Sequence, residues 1–300
     1  MLKLKSDSVR FDETVFSGIS INANTSNGEL NISNNMNEIE ISDTLKFVNV
    51  GLHGSTNKNY SKFQIATSSR DSLVTKIKVN GEANYLTNGK IQLQLLPSEI
   101  IVNNKTWEID KGNSIVFDST FADVQNLTIT SGEEALSLNG KISKNKNDHL
   151  KLELKNFNTN VLNPILLVYD VSIGGIATGH GDFAGLLSQP GINSEMYITN
   201  LSFYNDTLGD ANINFNYDIP NKLITIKGLV DRGGVKNIEV DGRYFIKEKN
   251  DSIDFNFTLQ KTNLATFAGY AKGLVSDVKG KASGTLNLSG SVNNPDLTGK

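Results

Sequence analysis

The sequence predicts an all-β protein with one short helix per repeat, its strands forming an elongated antiparallel sheet that must curl. Three observations carry this. Apolar and polar residues alternate over most of the chain, glycine-containing pairs punctuate the alternation, and one glycine–proline motif occurs twice at a fixed distance.

The alternation is clearest in Leu150-Lys-Leu-Glu-Leu-Lys, Ile213-Asn-Phe-Asn-Tyr-Asp, Leu223-Ile-Thr-Ile-Lys, Ile238-Glu-Val-Asp-Gly-Arg-Tyr and Ile253-Asp-Phe-Asn-Phe-Thr-Leu. The first third repeats it in Leu30-Asn-Ile, Ile39-Glu-Ile, Thr75-Lys-Ile-Lys-Val and Lys90-Ile-Gln-Leu-Gln-Leu. Successive side chains of a strand point to opposite faces, so each segment has one apolar and one wet face. Antiparallel meanders produce that pattern, whereas buried parallel strands read as unbroken apolar runs.

Between these segments, Asn27-Gly28, Asn80-Gly81, Asn88-Gly89, Asn139-Gly140, Gly233-Gly234 and Asp241-Gly242 supply the residues that tight turns require. Asp241-Gly242 interrupts a strand pattern, which suits a bulge.

Two segments leave the strand period. Asn263–Val275 spaces Leu264, Phe267, Ala271 and Leu274 as a helix does, with Asn263 as its N-cap. Val161–Ser172, with Leu162, Ile165, Leu166 and Tyr169, is its counterpart, and Pro164 must lie in a first turn.

The motif follows each of these helices. Gly175-Ile-Ala177-Thr-Gly179-x3-Phe183-Ala-Gly185-x4-Pro190 matches Gly280-Lys-Ala282-Ser-Gly284-x3-Leu288-Ser-Gly290-x4-Pro295 at a constant spacing of 105 residues. The flanks repeat with small gaps: Leu138-Asn-Gly140 matches Val240-Asp-Gly242, and Leu150-x-Leu152-x-Leu154 matches Ile253-x-Phe255-x-Phe257. The unit is longer than the usual solenoid period of about 20–50 residues, so each copy holds several strands. The expected organisation is a β-rich segment over residues 1–134, a repeat unit over 135–247 and the start of the next unit over 248–300.

A continuous apolar sheet face cannot stay in water. At about 25 cal/mol per Å², dozens of Leu, Ile and Phe would forgo more than a domain's whole net stability. The sheet must fold over, close or hold a ligand, and a curled wide sheet leaves an apolar furrow along its length.

Composition excludes several function classes. The 300 residues carry 29 basic and 32 acidic side chains, net −3, which is no footprint for nucleic acid. With no Cys, disulfides and thiol catalysis are excluded. His53, His149 and His180 show no metal-ligand spacing, and no Ser, Cys or Lys stands in a nucleophile–base pattern, so no catalytic residue, metal or cofactor is expected. Gly174-Gly-x3-Gly179-x-Gly181 lacks the Lys-Ser/Thr of a phosphate loop. Asp170, Asp182, Asp206 and Asp210 read as turn residues, and Trp107 as a core or rim residue. No run of about 18 apolar residues is long enough for a membrane helix. Met1-Leu-Lys-Leu-Lys lacks a signal peptide's apolar stretch, and Pro295–Lys300 stops where a further strand should begin, so the chain is expected to be a piece of a longer protein.

The twin Gly-x-Ala-[Thr/Ser]-Gly…Gly-x4-Pro units, the Leu-x-Leu-x-Leu strand ahead of the first helix, and Asn103-Asn-Lys-Thr-Trp107-Glu-Ile109 followed by Asn113-Ser-Ile115 resemble the TamB family of translocation-and-assembly proteins, within the AsmA-like group. The resemblance covers roughly Lys76 to Lys300, and the Asn-rich style is similar to Bacteroidota proteins. It implies a sheet folded lengthwise into a "β-taco" with an apolar groove. It also implies a periplasmic, non-enzymatic conduit for phospholipid between the inner and outer membranes, with a role in outer-membrane protein assembly. An inner-membrane anchor and the domain that meets an Omp85-type partner would lie outside this segment. The expected groove lining is Leu150, Leu152, Leu154, Ile213, Phe215, Tyr217, Ile238, Val240, Ile253, Phe255 and Phe257. The competing reading is a structural or adhesive β-solenoid with a dry core and regular short rungs. An outer-membrane barrel ranks below it, because the aromatics do not pair into girdles.

Overall fold

Alternating sequence becomes antiparallel ladder almost throughout. The computed structural model describes residues 1–41, 46–69, 76–102, 104–166, 171–188, 190–203, 206–246, 250–263 and 280–300. The chain divides into two compact units, Met1–Ser143 with Val161–Val171, and Lys144–Asn160 with Ser172–Lys300.

The first unit is a meander of β1 (Leu2–Phe11), β2 (Thr14–Ser26), β3 (Glu29–Glu40), β4 (Lys46–Thr56), β5 (Tyr60–Ser69), β6 (Lys76–Tyr85) and β7 (Ile91–Val102), each pairing with the next. Two short strands, β8 (Lys105–Ile109) and β9 (Ser114–Phe117), then share one place between β7 and β10 (Phe121–Ser131). β11 (Glu134–Ser143) follows β10.

Asn113 bridges the break between β8 and β9. Its carboxamide accepts from the Leu95 amide at 2.8 Å and donates to the Leu95 and Asp110 carbonyls, each at 2.9 Å. The side chain thus supplies the donor and acceptor of a missing strand residue, and at 1% exposure it is almost wholly buried. Trp107, on β8, is buried beside it in the chain order and sits opposite Ile100.

The second unit is an antiparallel meander in which each strand pairs with the next: β12 (His149–Asn158), β13 (Ile173–Ala184), β14 (Gly191–Phe203), β15 (Asp206–Asp218), β16 (Leu223–Asp231), β17 (Lys236–Phe245), β18 (Ser252–Asn263), β19 (Lys281–Ser291) and β20 (Asn294–Gly299). Every described pairing in both units is antiparallel, which a β-solenoid of parallel rungs does not give.

Hairpins close on side chains that bond their own turn. Asn57 Oδ1 accepts from the amides of Asn59 and Tyr60, each at 3.0 Å, and Asp118 Oδ1 from the amides of Thr120 and Phe121 at 2.7 and 3.2 Å. Asn27-Gly28 has the paired positive φ of a type I′ turn, 52° and 77°. Gly233-Gly234 and Asn88-Gly89 also lie in turns.

Three glycine pairs do not turn the chain. Asn80-Gly81, Asn139-Gly140 and Asp241-Gly242 lie inside β6, β11 and β17. The bulge expected at Asp241-Gly242 is absent, since β16, β17 and β18 keep continuous register there. Other expectations shift similarly. Of the helix expected over Val161–Ser172, the described residues show a 3-10 turn over Thr159–Leu162 and one turn, α1 (Asn163–Leu166), with Pro164 in that first turn; Tyr169 lies outside the described residues. The helix expected over Asn263–Val275 lies outside the described residues after Asn263, which ends β18. The final segment, expected to stop before a strand, itself contains β20.

Candidate functional site

The register of the second unit aligns its apolar residues into four rows on one face. The innermost row runs Phe157–Ala177–Ile198–Ala211–Val230–Ile238–Leu259 across seven strands. The next runs Leu154–Gly179–Met196–Ile213–Gly228–Val240–Phe257–Leu286. The third runs Leu152–Gly181–Ser194–Phe215–Ile226–Gly242–Phe255–Leu288, and the fourth Leu150–Phe183–Ile192–Tyr217–Ile224–Tyr244–Ile253–Gly290. All eleven residues expected from sequence to line the groove therefore share a single face.

Their burial is graded. The innermost row is closed to solvent, from Ala211 at 0% to Ile198 at 9% exposed, and holds the core of the unit. Of the eleven expected residues only Ile238 belongs to it; the other ten are half-buried. Phe255 and Phe257 stack with ring centroids 6.1 Å apart. The intervening positions face the other way and are mostly charged, amide-bearing or hydroxyl-bearing, with Tyr197, Leu223 and Leu229 among them. Glu153, His180, Glu195 and Asn214 are cross-strand neighbours there, Arg243 pairs with Asp254 at 3.0 Å, and Asn287 donates to Asp254 and Asn256 at 3.0 and 2.9 Å.

Register shifts recur beside the buried row: at Leu154/Phe157 in β12, Gly174/Ile176 in β13, Ile198/Leu201 in β14 and Leu259/Thr262 in β18. Asn156, Gly175, Asn200 and Lys261 at these points have φ of 49°, 129°, 52° and 50°. A bulge bends its strand and increases local twist, so this line of bulges creases the unit along the edge of its apolar face. The twin motif maintains two of the bulges. Thr178 Oγ1 accepts from the Asn156 amide at 3.0 Å, and Ser283 Oγ, 105 residues on, accepts from the Lys261 amide at 2.9 Å. The motif's first glycine, Gly175, lies at a bulge itself, and the hydroxyl at its fourth position holds one on the neighbouring strand in each copy.

The first unit has a comparable face. Leu4–Ile21–Asn34–Leu52–Ile65–Val79 form one cross-strand row and Leu2–Ala23–Ile32–Gly54–Phe63–Gly81–Leu95 the next. Leu4, Ile32, Leu52 and Ile65 are 49, 38, 39 and 42% exposed, more open than the second unit's rows.

Sequence reasoning missed Ala177, Ile198, Ala211, Val230 and Leu259, the rest of the core cluster. Ile192-x-Ser194-x-Met196-x-Ile198 alternates, but Ser194 masks the signal.

Of the polar residues singled out in the sequence, Asp182, Asp210 and His53 are strand residues with partners, and Asp170 lies outside the described residues. Asp182 is on β13 and pairs with His149; Asp210 is on β15 and accepts from the Asn200 amide at 2.8 Å. Neither is the turn residue the sequence suggested. His53 bonds Ser33 at 3.0 Å. Among the described residues no group of three or more His, Asp or Glu side chains is arranged to hold a metal ion, and no described helix is long and apolar enough to cross a membrane. Tyr60 donates to Glu82 at 2.6 Å, and that carboxylate pushes its phenol up to about 12.

No curated protein and no solved structure matches the chain. A family model described as "TamB, N-terminal domain" matches residues 1–300, including the first 75 residues, which carried no motif. That family is a lipid- or protein-transport module of the AsmA-like group, periplasmic, and not known as an enzyme family. An apolar sheet face with a creased margin and a family match over the whole chain lead to one identification: the chain belongs to the TamB family.

Proposed function

We propose that the half-buried apolar face is a segment of a periplasmic lipid conduit. It carries phospholipid acyl chains between the inner and outer membranes and supports outer-membrane protein assembly. The observation that supports this is the burial gradient: three apolar rows stand half-open beside one closed row, while the reverse face is mostly polar. A dry core would close all four rows. Acyl chains lying on the rows would remove the remaining apolar area from water, at about 25 cal/mol per Å², while headgroups stay at the open margin. No chemistry is needed; the face acts as a solvent.

On this proposal the protein is anchored in the inner membrane, works with an Omp85-type partner, and residues 135–247 form one repeat of the conduit. The test is extraction of purified protein followed by lipid mass spectrometry. Phospholipid is expected to co-purify, and Phe255→Asp to abolish it while the far-ultraviolet dichroism of the sheet is retained. Protein purified under mild conditions without phospholipid would overturn the proposal.

A further inference from the structure

Gly81 and Gly242 lie within strands, where a glycine weakens the ladder and leaves a notch. Both notches are filled in the same way. Gly242 stands opposite Phe255, and Gly81 opposite Phe63. A Cβ on Gly242 would fall inside contact distance of Phe255 Cε1, and one on Gly81 inside that of Phe63 Cζ. Each ring is therefore laid over its glycine instead of standing up from the sheet. Neither glycine has a positive φ, so any L-residue could adopt the backbone, and only the ring forbids a side chain. Gly228, one row away on the same face, differs: its Cβ would meet Val240 at 3.7 Å, ordinary contact.

We infer that Gly81 and Gly242 each set the clearance above the apolar face of their own unit, letting a phenylalanine lie flat so that an acyl chain fits over it. The inference rests on the conduit proposal. A methyl at either position lifts the ring into the space the acyl chain would occupy, so these glycines determine which chains the face accepts. They are positioning residues and touch no lipid themselves.

The experiment compares Gly242→Ala, Gly81→Ala, Gly228→Ala and Gly242→Ala combined with Phe255→Leu, each in the full chain. Two readouts are taken: co-purified phospholipid per protein with its acyl composition, and thermal melting. Gly242→Ala and Gly81→Ala are expected to lose bound phospholipid and to shift the remainder to shorter acyl chains. Gly228→Ala, which adds a methyl to the same face without displacing a ring, is expected to lose less phospholipid than Gly242→Ala, and the double variant to regain lipid because the lifted ring is gone. Melting separates a folding defect from a clearance defect. A Gly242→Ala protein that melts early is read through the double variant, whose failure to regain lipid overturns the inference. Lipid on wild type and equal lipid on Gly242→Ala and Gly228→Ala also overturns it. A wild-type protein without lipid removes the conduit proposal itself, a distinguishable outcome.

Discussion

The amide of Asn156 donates to Thr178 Oγ1 at 3.0 Å, and the same bond recurs 105 residues later between Lys261 and Ser283. The repeat seen in sequence is thus a repeat of one device. A left-handed residue bulges the strand before the glycine motif, and a hydroxyl in the motif accepts from its amide. Removing the hydroxyl is expected to cost about 0.5–1.5 kcal/mol in Thr178→Val or Ser283→Ala. Lys261 occupies the left-handed region at φ 50° without the local hydrogen bonding that makes Asn tolerable there. Lys261→Asn is therefore expected to stabilise by about 1 kcal/mol, read as a raised denaturation midpoint, while Asn156→Lys lowers it.

Asn113 gives a second prediction. Asn113→Leu preserves much of its volume but leaves the Leu95 amide and carbonyl without partners. At about 1–3 kcal/mol for each of these two groups, the loss is roughly 2–6 kcal/mol. Asn113→Asp is expected not to rescue, because a carboxylate cannot donate to the Leu95 and Asp110 carbonyls. Urea denaturation followed by Trp107 fluorescence measures both, since Trp107 lies on the neighbouring β8.

Alkaline titration gives a third. Tyr60 is pushed up to about 12, first by its hydrogen bond to Glu82, while Tyr85, whose oxygen meets Ser61 at 2.5 Å, is lowered. A raised phenol favours the neutral form in the folded protein. Its stabilising contribution is complete below the ordinary tyrosine value of 10.0 and is lost as pH rises from there through about 12. Phenolate absorbance should therefore rise over a broad range, and Tyr60→Phe should remove the most alkaline part. A titration unchanged by Tyr60→Phe would contradict the assignment.

Much of this was legible in the chain because a strand's two faces are written directly in its alternation. Leu150-x-Leu-x-Leu and Ile253-x-Phe-x-Phe named their face without knowledge of any partner strand. What alternation cannot carry is the cross-strand register. That register brings Ile213 beside Gly228 and Phe255 beside Gly242, and it ranks the rows by burial. For the same reason Asn80-Gly81 and Asp241-Gly242 read as turns or bulges. The dipeptide is the same in a hairpin and in a notch, and only the ring on the neighbouring strand distinguishes them. Ala177 and Ala211 were overlooked because a small side chain signals burial only after its neighbours are known.

The central claim, that the apolar face and not its reverse meets acyl chains, is tested most directly by site-specific photocrosslinking in cells. Asn214 and Phe215 are adjacent in β15 and point to opposite faces, so a photoreactive residue at each samples both sides at the same place in the fold. Phospholipid is expected to be captured at Phe215 and not at Asn214. Equal capture at the two positions, or none at Phe215, would contradict the account.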